Sequence, residues 1–185
     1  RELAEAGIER VTVVTGHLAE QVEALVGDGS GFGLALSCVQ QPHPDGSADA
    51  VACAIAGGAE LPAVVTAADT AGDVGRFLRS FAASGAAGAM TVRRDPPPGL
   101  RRPTVRVRDG LVERVLDDDD SNPLGGAPLW ALGAELEPFL HGLSGPPFEL
   151  ADAYQSAIDA GLSIAGVEIG RTRDLTDPFD LVEES

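Results

Sequence analysis

Lysine is absent from this sequence, and all 13 of its basic residues are arginine. No Schiff base and no P-loop lysine is therefore available to it. Positive charge is scarce in general: 29 acidic residues leave a net charge of −16. That balance argues against binding to a nucleic-acid backbone, which needs a basic face. No apolar run approaches the ~18 residues of a membrane span. No charged segment leads into an apolar stretch as in a signal peptide. A cytoplasmic protein with no membrane partner is expected. Cysteine is limited to Cys38 and Cys53, in a predicted strand and a predicted helix. Neither has a second Cys or His at zinc spacing, so both read as free thiols of a reducing compartment. The sole methionine is Met90, and the chain opens on Arg1-Glu-Leu-Ala-Glu-Ala-Gly7. That segment reads as the second half of a helix meeting its glycine cap, so the folded unit is expected to begin upstream.

What is present fits one compact domain over residues 1–185, with 44% hydrophobic residues to fill its core. Val11–Thr15 is a β-branched strand, and Leu18, Val22 and Leu25 make the apolar stripe of a helix ending at Gly27. The run Gly27-Asp-Gly-Ser-Gly-Phe-Gly33 follows a helix and precedes a strand, the reverse of a dinucleotide fingerprint, and reads as a flexible connection. Leu34 to Gln40 is the next strand. Gln41-Pro-His-Pro-Asp-Gly46 then turns into a helix over 48–56, with Ser47 as its N-cap. Ala63–Ala68 is a buried strand, and Asp69 stands at its end. Val74, Phe77, Leu78 and Phe81 mark the helix behind it. Open α/β sheets bind ligands outside the carboxyl ends of their strands, so Asp69 reads either as a metal or phosphate-side ligand or as a helix N-cap.

The strand–helix rhythm continues through a strand at Ala89–Arg93 and implies a parallel sheet. Residues 95–120 break it with an antiparallel insertion that turns at Asp109-Gly110. The insertion ends in the acidic run Asp117–Asp120, which reads as a solvated loop. A strand over 127–132, helices over 135–140 and 148–160, a strand over 163–169 and a C-terminal segment, 175–184, complete the chain. His17, His43 and His141 fall in separate loops and read as structural, with His43 near enough to Gln41 in sequence to line the same pocket.

Four stretches in order resemble the sugar-phosphate nucleotidyltransferases, the nucleotide-sugar pyrophosphorylases typified by glucose-1-phosphate thymidylyl- and uridylyltransferases. They are Leu3–Gly16, Gln41-Pro-His-Pro-Asp-Gly-Ser-Ala-Asp-Ala50, Val64-Val-Thr-Ala-Ala-Asp-Thr70, and Phe148-Glu-Leu-Ala-Asp152 with Val167-Glu-Ile-Gly170. The resemblance implies an α/β, Rossmann-like, mostly parallel sheet with helices on both faces, the hairpin insertion and a missing first strand. It also implies transfer of an NMP group from an NTP to a sugar 1-phosphate, with pyrophosphate released. Gln41 and Gly46 would recognise the nucleobase; Asp69, the catalytic carboxylate, would share Mg²⁺ with Glu168. On the sugar-phosphate side Trp130 would stack on a sugar ring or else pack in the core, and Glu149 would bond sugar hydroxyls or else serve as a first-turn acid of its own helix.

Several departures weigh on that reading. The family's Gly-x-Gly-Thr-Arg loop and Pro-Lys are not in this sequence, so the chain by itself is expected to be inactive. Its Glu-Lys-Pro would fall near Leu116–Asp120, where only Arg101, Arg102 or Arg171 could supply positive charge. Pro128 stands where a glycine is usual. The competing reading is a non-catalytic domain of the same fold that binds a nucleotide or a sugar phosphate. A metal-dependent glycosyltransferase is disfavoured, because Ala67 and Ala71 flank Asp69 where a second acid belongs. The base, the sugar and homo-oligomerisation are left open.

Overall fold

A computed structural model describes residues 2–68, 70–71, 73–94, 104–119, 121–169 and 173–174. It opens with helix α1 (Glu2–Glu5), which closes as the sequence predicts. Gly7 takes φ 85°, the Ile8 amide donates to the Leu3 carbonyl and the Gly7 amide to that of Ala4. This is the paired bonding of a Schellman cap. Strand β1 (Arg10–Thr15) pairs in parallel with β2 (Ala35–Gln40), and between them lies α2 (Ala19–Val26). The apolar stripe expected on α2 is not buried: Leu25 is 81% exposed.

The Gly27–Gly33 run is more ordered than a flexible connection. Asp28 accepts from the Ser30 amide and hydroxyl, and a Cβ on Gly29 would lie 2.7 Å from that of Leu36. After β2 come α3 (Ser47–Ala56), β3 (Ala63–Thr66), the short β4 (Thr70–Ala71) and α4 (Val74–Ser84). Asp73 caps α4 by accepting from the Arg76 amide at 2.8 Å. The helix-capping alternative for Asp69 is thereby filled by another residue.

The main sheet has six strands in the order β3, β8 (Leu124–Leu132), β5 (Gly88–Arg94), β9 (Ile164–Glu168), β7 (Leu111–Asp117), β6 (Thr104–Arg108). β5 is parallel to β9, while β8 runs antiparallel to both β3 and β5. β6 and β7 form the expected hairpin, with Asp109 and Gly110 at φ 51° and 79° as a type I′ turn requires. The acidic run after it is only partly solvated, since the Asp117 side chain is 5% exposed and holds Arg106 at 2.8 Å.

β5 is buried along nearly its whole length, and cores lie on both of its faces. One contains Val92, Leu132, Tyr154 and Ile164 under α3 and α5 (Leu150–Asp159); the other contains Phe77, Leu129 and Val167 under α4. Residues 134–140, expected as an α-helix, form a 3₁₀ segment that accommodates Pro138. Among the described residues, β1 pairs only with β2 and β3 only with β8. The Arg10–Glu60 ion pair joins the residue that opens β1 to one just before β3, so both strands start from the same end. The last short strand, β10 (Arg173–Asp174), pairs with β4.

Candidate active site

The carboxyl ends of the strands form the rim where an open α/β sheet takes its ligand. Gln41 stands just past β2, its amide donating to the Thr15 carbonyl at 2.8 Å. The Gln41 side-chain nitrogen donates to the Gly46 carbonyl at 3.1 Å and to Asp49 Oδ2 at 2.7 Å. These bonds fix the amide and turn its oxygen, which has no partner among the described residues, into an acceptor on a set side chain.

Gly46 has a structural reason to be glycine that the sequence alone did not show. Its φ and ψ are 115° and 174°, a region essentially closed to other residues. A Cβ there would lie 2.3 Å from the Phe148 carbonyl oxygen and 2.6 Å from its nitrogen. Two segments a hundred residues apart meet at this point. The Phe148 amide donates to the Asp45 carbonyl at 2.6 Å, and Ala48 donates to the Phe148 carbonyl at 2.9 Å.

Ser47 and Glu149 complete the contact. Ser47 is the first residue of α3, not its cap, and Glu149 is the N-cap of α5. The Ser47 hydroxyl donates to Glu149 Oε2 and accepts from the Leu150 amide at 2.9 Å. The Ser47 amide approaches the same carboxylate at 3.4 Å. Each helix therefore caps the other's first turn, and the acid also offsets two converging positive helix ends. Glu149, expected to hold sugar hydroxyls, is committed to this clasp.

Two residues beyond Glu149, Ala151 lines a cavity of about 210 Å³, together with Met90, Val105, Gly126, Pro128 and Trp130. Trp130 is half-buried and stands edge-on to Tyr154 with ring centroids 4.8 Å apart. The Tyr154 hydroxyl is anchored on the Ala131 carbonyl at 2.7 Å, which fixes the pair. Pro128 sits in a bulge: Met90 pairs with Trp130 but Val92 with Gly126, so three residues of β8 oppose Thr91. A proline loses no ladder bond there. The buried Thr91 hydroxyl closes the gap, accepting from the Leu129 amide at 3.1 Å and donating to its carbonyl at 3.2 Å.

Glu168, read as the second metal ligand, ends β9 and receives Arg94 Nε and Nη2, each at 3.3 Å. Three strand spacings, ~14 Å, separate β9 from β3. Asp69 lies outside the described residues, as do Arg101, Arg102 and Arg171. The backbone on either side is informative, however. β4 pairs antiparallel with β10, Asp174 opposite Thr70 and Arg173 opposite Ala71. Asp174 thus comes beside the position that follows Asp69. Sequence reasoning missed it, because a two-residue strand carries no periodicity. Among the described residues no group of three or more His, Cys, Asp or Glu is arranged to hold a metal. No helix there is long and apolar enough to cross a membrane. All three histidines are exposed.

Residues 1–98, more than half of the 185, match the family model described as Nucleotidyl transferase. The chain belongs to that family. It is 32% identical over 126 residues to the bifunctional protein GlmU of Trichlorobacter lovleyi, a match covering 64% of this chain and 26% of that protein. The chain thus spans about a quarter of the length of this relative. In fold it is similar to the inositol-1-phosphate CTP transferase of T. maritima, with a TM-score of 0.78 at 15% identity over 97% of this chain and 75% of the other. It is likewise similar to the UDP-glucose pyrophosphorylase of Acinetobacter baumannii, with a TM-score of 0.74 at 19% identity over 99% of this chain and 78% of the other. The nucleotidyltransferase-like α/β fold expected from sequence is the one observed.

Proposed function

We propose that this chain forms the nucleotide- and acceptor-binding body of an enzyme that moves an NMP group from an NTP to a sugar 1-phosphate. An acceptor phosphate oxygen attacks the α-phosphorus, the bond to the β-phosphate breaks, and pyrophosphate leaves. Gln41 presents its oxygen to the base edge, and Gly46, by its close approach to Phe148, sets the turn whose carbonyl holds the Gln41 amide. Trp130 takes the acceptor skeleton. Glu149 acts indirectly, by holding Ser47 and the start of α3.

The observation that carries this reading is the β4–β10 pairing, which draws two acid-bearing segments to one point on the rim. Carboxylate oxygens suit Mg²⁺, which needs few protein ligands and keeps its waters. Asp69 is the first ligand, and Asp174 has a better claim than Glu168 to be the second, because Glu168 is held by Arg94. Bound there, the ion would neutralise charge on the α-phosphate.

The test is Mn²⁺ and NTP binding measured calorimetrically on the chain and on Asp69→Ala, Asp174→Ala and Glu168→Ala. Metal-dependent NTP binding lost in the first two and kept in the third is the expected result. Tight NTP binding indifferent to metal and to Asp69→Ala would replace this reading with the non-catalytic binding domain, which the absence of lysine favours. Binding lost in Glu168→Ala alone would restore the pairing of Asp69 with Glu168.

A further inference from the structure

We propose that the cavity beside Trp130 selects an acceptor phosphate ester whose carbon skeleton presents an apolar face, a deoxy sugar phosphate rather than a fully hydroxylated one. The inference rests on the nucleotidyltransferase reading and names the substrate class of the same site.

Three observations carry it. First, the described wall of the cavity bears no acid, base, amide or hydroxyl side chain; it is made of groups such as Met90, Val105, Pro128, Trp130 and Ala151. A hydroxyl placed against such a wall gives up its water and finds no partner, a loss that sites use to discriminate. Second, neither carboxylate flanking Ala151 joins the wall: Asp152 is not among the residues that line the cavity, and Glu149 is engaged by the Ser47 amide and hydroxyl. Turning it to a sugar would uncap α3. Third, the size fits: the cavity opens to solvent and, at about 210 Å³, has room for the apolar face of a sugar-sized skeleton.

Connectivity makes it part of the reaction site and not an isolated void. The clasp ties Gly46 to Phe148, and Ala151 follows in the first turn of α5. An acceptor seated against Ala151 and Trp130 is therefore next to the segment that carries Gln41. The aromatic face of Trp130 suits a run of C–H groups.

Trp130 is the sole tryptophan, so its emission reports this cavity alone. The chain is titrated with glucose 1-phosphate and with its 6-deoxy analogue, and with UTP and dTTP in separate runs. The expected result is tighter binding of the deoxy compound by tenfold or more, about 1.4 kcal/mol, with a blue shift of Trp130. Gly126→Ala supplies the second arm. Its new Cβ would meet Met90 Cε and Val105 Cγ2 at 3.6 Å, ordinary contact, so the variant folds while the cavity narrows. It should weaken the deoxy compound severalfold and leave the nucleotides unchanged.

Equal affinities, a preference for the hydroxylated compound, or no binding of either up to millimolar concentration would overturn the acceptor class. If nucleotides still bind, the nucleotidyltransferase reading survives that loss. A deoxy preference without any nucleotide binding would do the reverse.

Discussion

Replacing Gly46 by alanine separates a backbone that exists to pack from one that exists to meet a base. Two costs arise. The φ and ψ of 115° and 174° lie where a side chain is strained by roughly 1–3 kcal/mol. The new Cβ would also fall 2.3 Å from a backbone oxygen. Backbone cannot swing aside like a side chain, so Phe148 must retreat and its bonds to Asp45 and Ala48 must lengthen or break. At roughly 1 kcal/mol each, the two bonds add about 2 kcal/mol. The total, roughly 3–5 kcal/mol, is a large share of the ~5–15 kcal/mol by which a domain is stable.

Gly58→Ala serves as the comparison for a Cβ at positive φ without a clash, because Gly58 has φ 101° and nothing within 4 Å of the built Cβ. Urea unfolding followed at Trp130 should give Gly46→Ala a midpoint lower than Gly58→Ala by about 1 M, for a difference of about 2 kcal/mol and a urea slope of about 2 kcal/mol per M. Midpoints of the two variants that coincide would refute the close approach. A Gly46→Ala chain as stable as the parent but unable to bind NTP would mean that the glycine serves the ligand alone.

Ser47→Ala removes the shared cap of α3 and α5 and should cost about 1–2 kcal/mol in thermal unfolding; an unchanged midpoint would show that the reciprocal bonds are not formed in solution. The Ser121 hydroxyl, and then its amide, hold the Asp119 carboxyl below its ordinary value. Its stabilising contribution is therefore present above the unfolded carboxylate range and lost as pH falls through the lowered value, and carbon-detected NMR titration of Ser121→Ala should move Asp119 upward. Burial raises the Tyr154 phenol well above its usual pKa of about 10, and Tyr154 is the sole tyrosine. Its stabilising contribution is complete below the unfolded value and declines as pH rises past it, so phenolate absorbance should emerge together with alkaline unfolding and not before it. Burial raises Cys38, and burial aided by Asp49 raises Cys53, so both thiols should alkylate more slowly than a free thiol at pH 8; a rate equal to glutathione would contradict this.

The elements that could be read from sequence are those with local causes. The Val74, Phe77, Leu78 and Phe81 stripe gives α4, and Asp109-Gly110 gives its hairpin, because periodicity and turn chemistry reside in neighbouring residues. What was missed depends on distant partners. Gly46 is visible as a glycine, but the reason for it is Phe148. Glu149 reads as an acid for its own helix, yet its carboxylate is held by Ser47 at the start of α3. The stripe on α2 predicts burial that Leu25 does not find, since an apolar pattern specifies a face and not what covers it. Antiparallel β8 interrupts the parallel rhythm, and nothing local in Leu124–Leu132 encodes which neighbour it joins.

The separate pairing of β1 with β2 and of β3 with β8 among the described residues bears on how this chain comes apart. β1, α2 and β2 hold to the remainder through α3 and the Arg10–Glu60 pair, with no strand ladder between the two sheets among the described residues. An exposed ion pair adds little to that attachment. Opening this N-terminal unit breaks few contacts in the main core, which centres on β5. Amide hydrogens of β1 and β2 should therefore exchange with solvent through a partial opening, while those of β5 and β9 wait for global unfolding. The segment at Gln41, proposed above to meet the base, belongs to the early-exchanging unit and the Trp130 cavity to the late one, so a ligand spanning both would join two foldons into one.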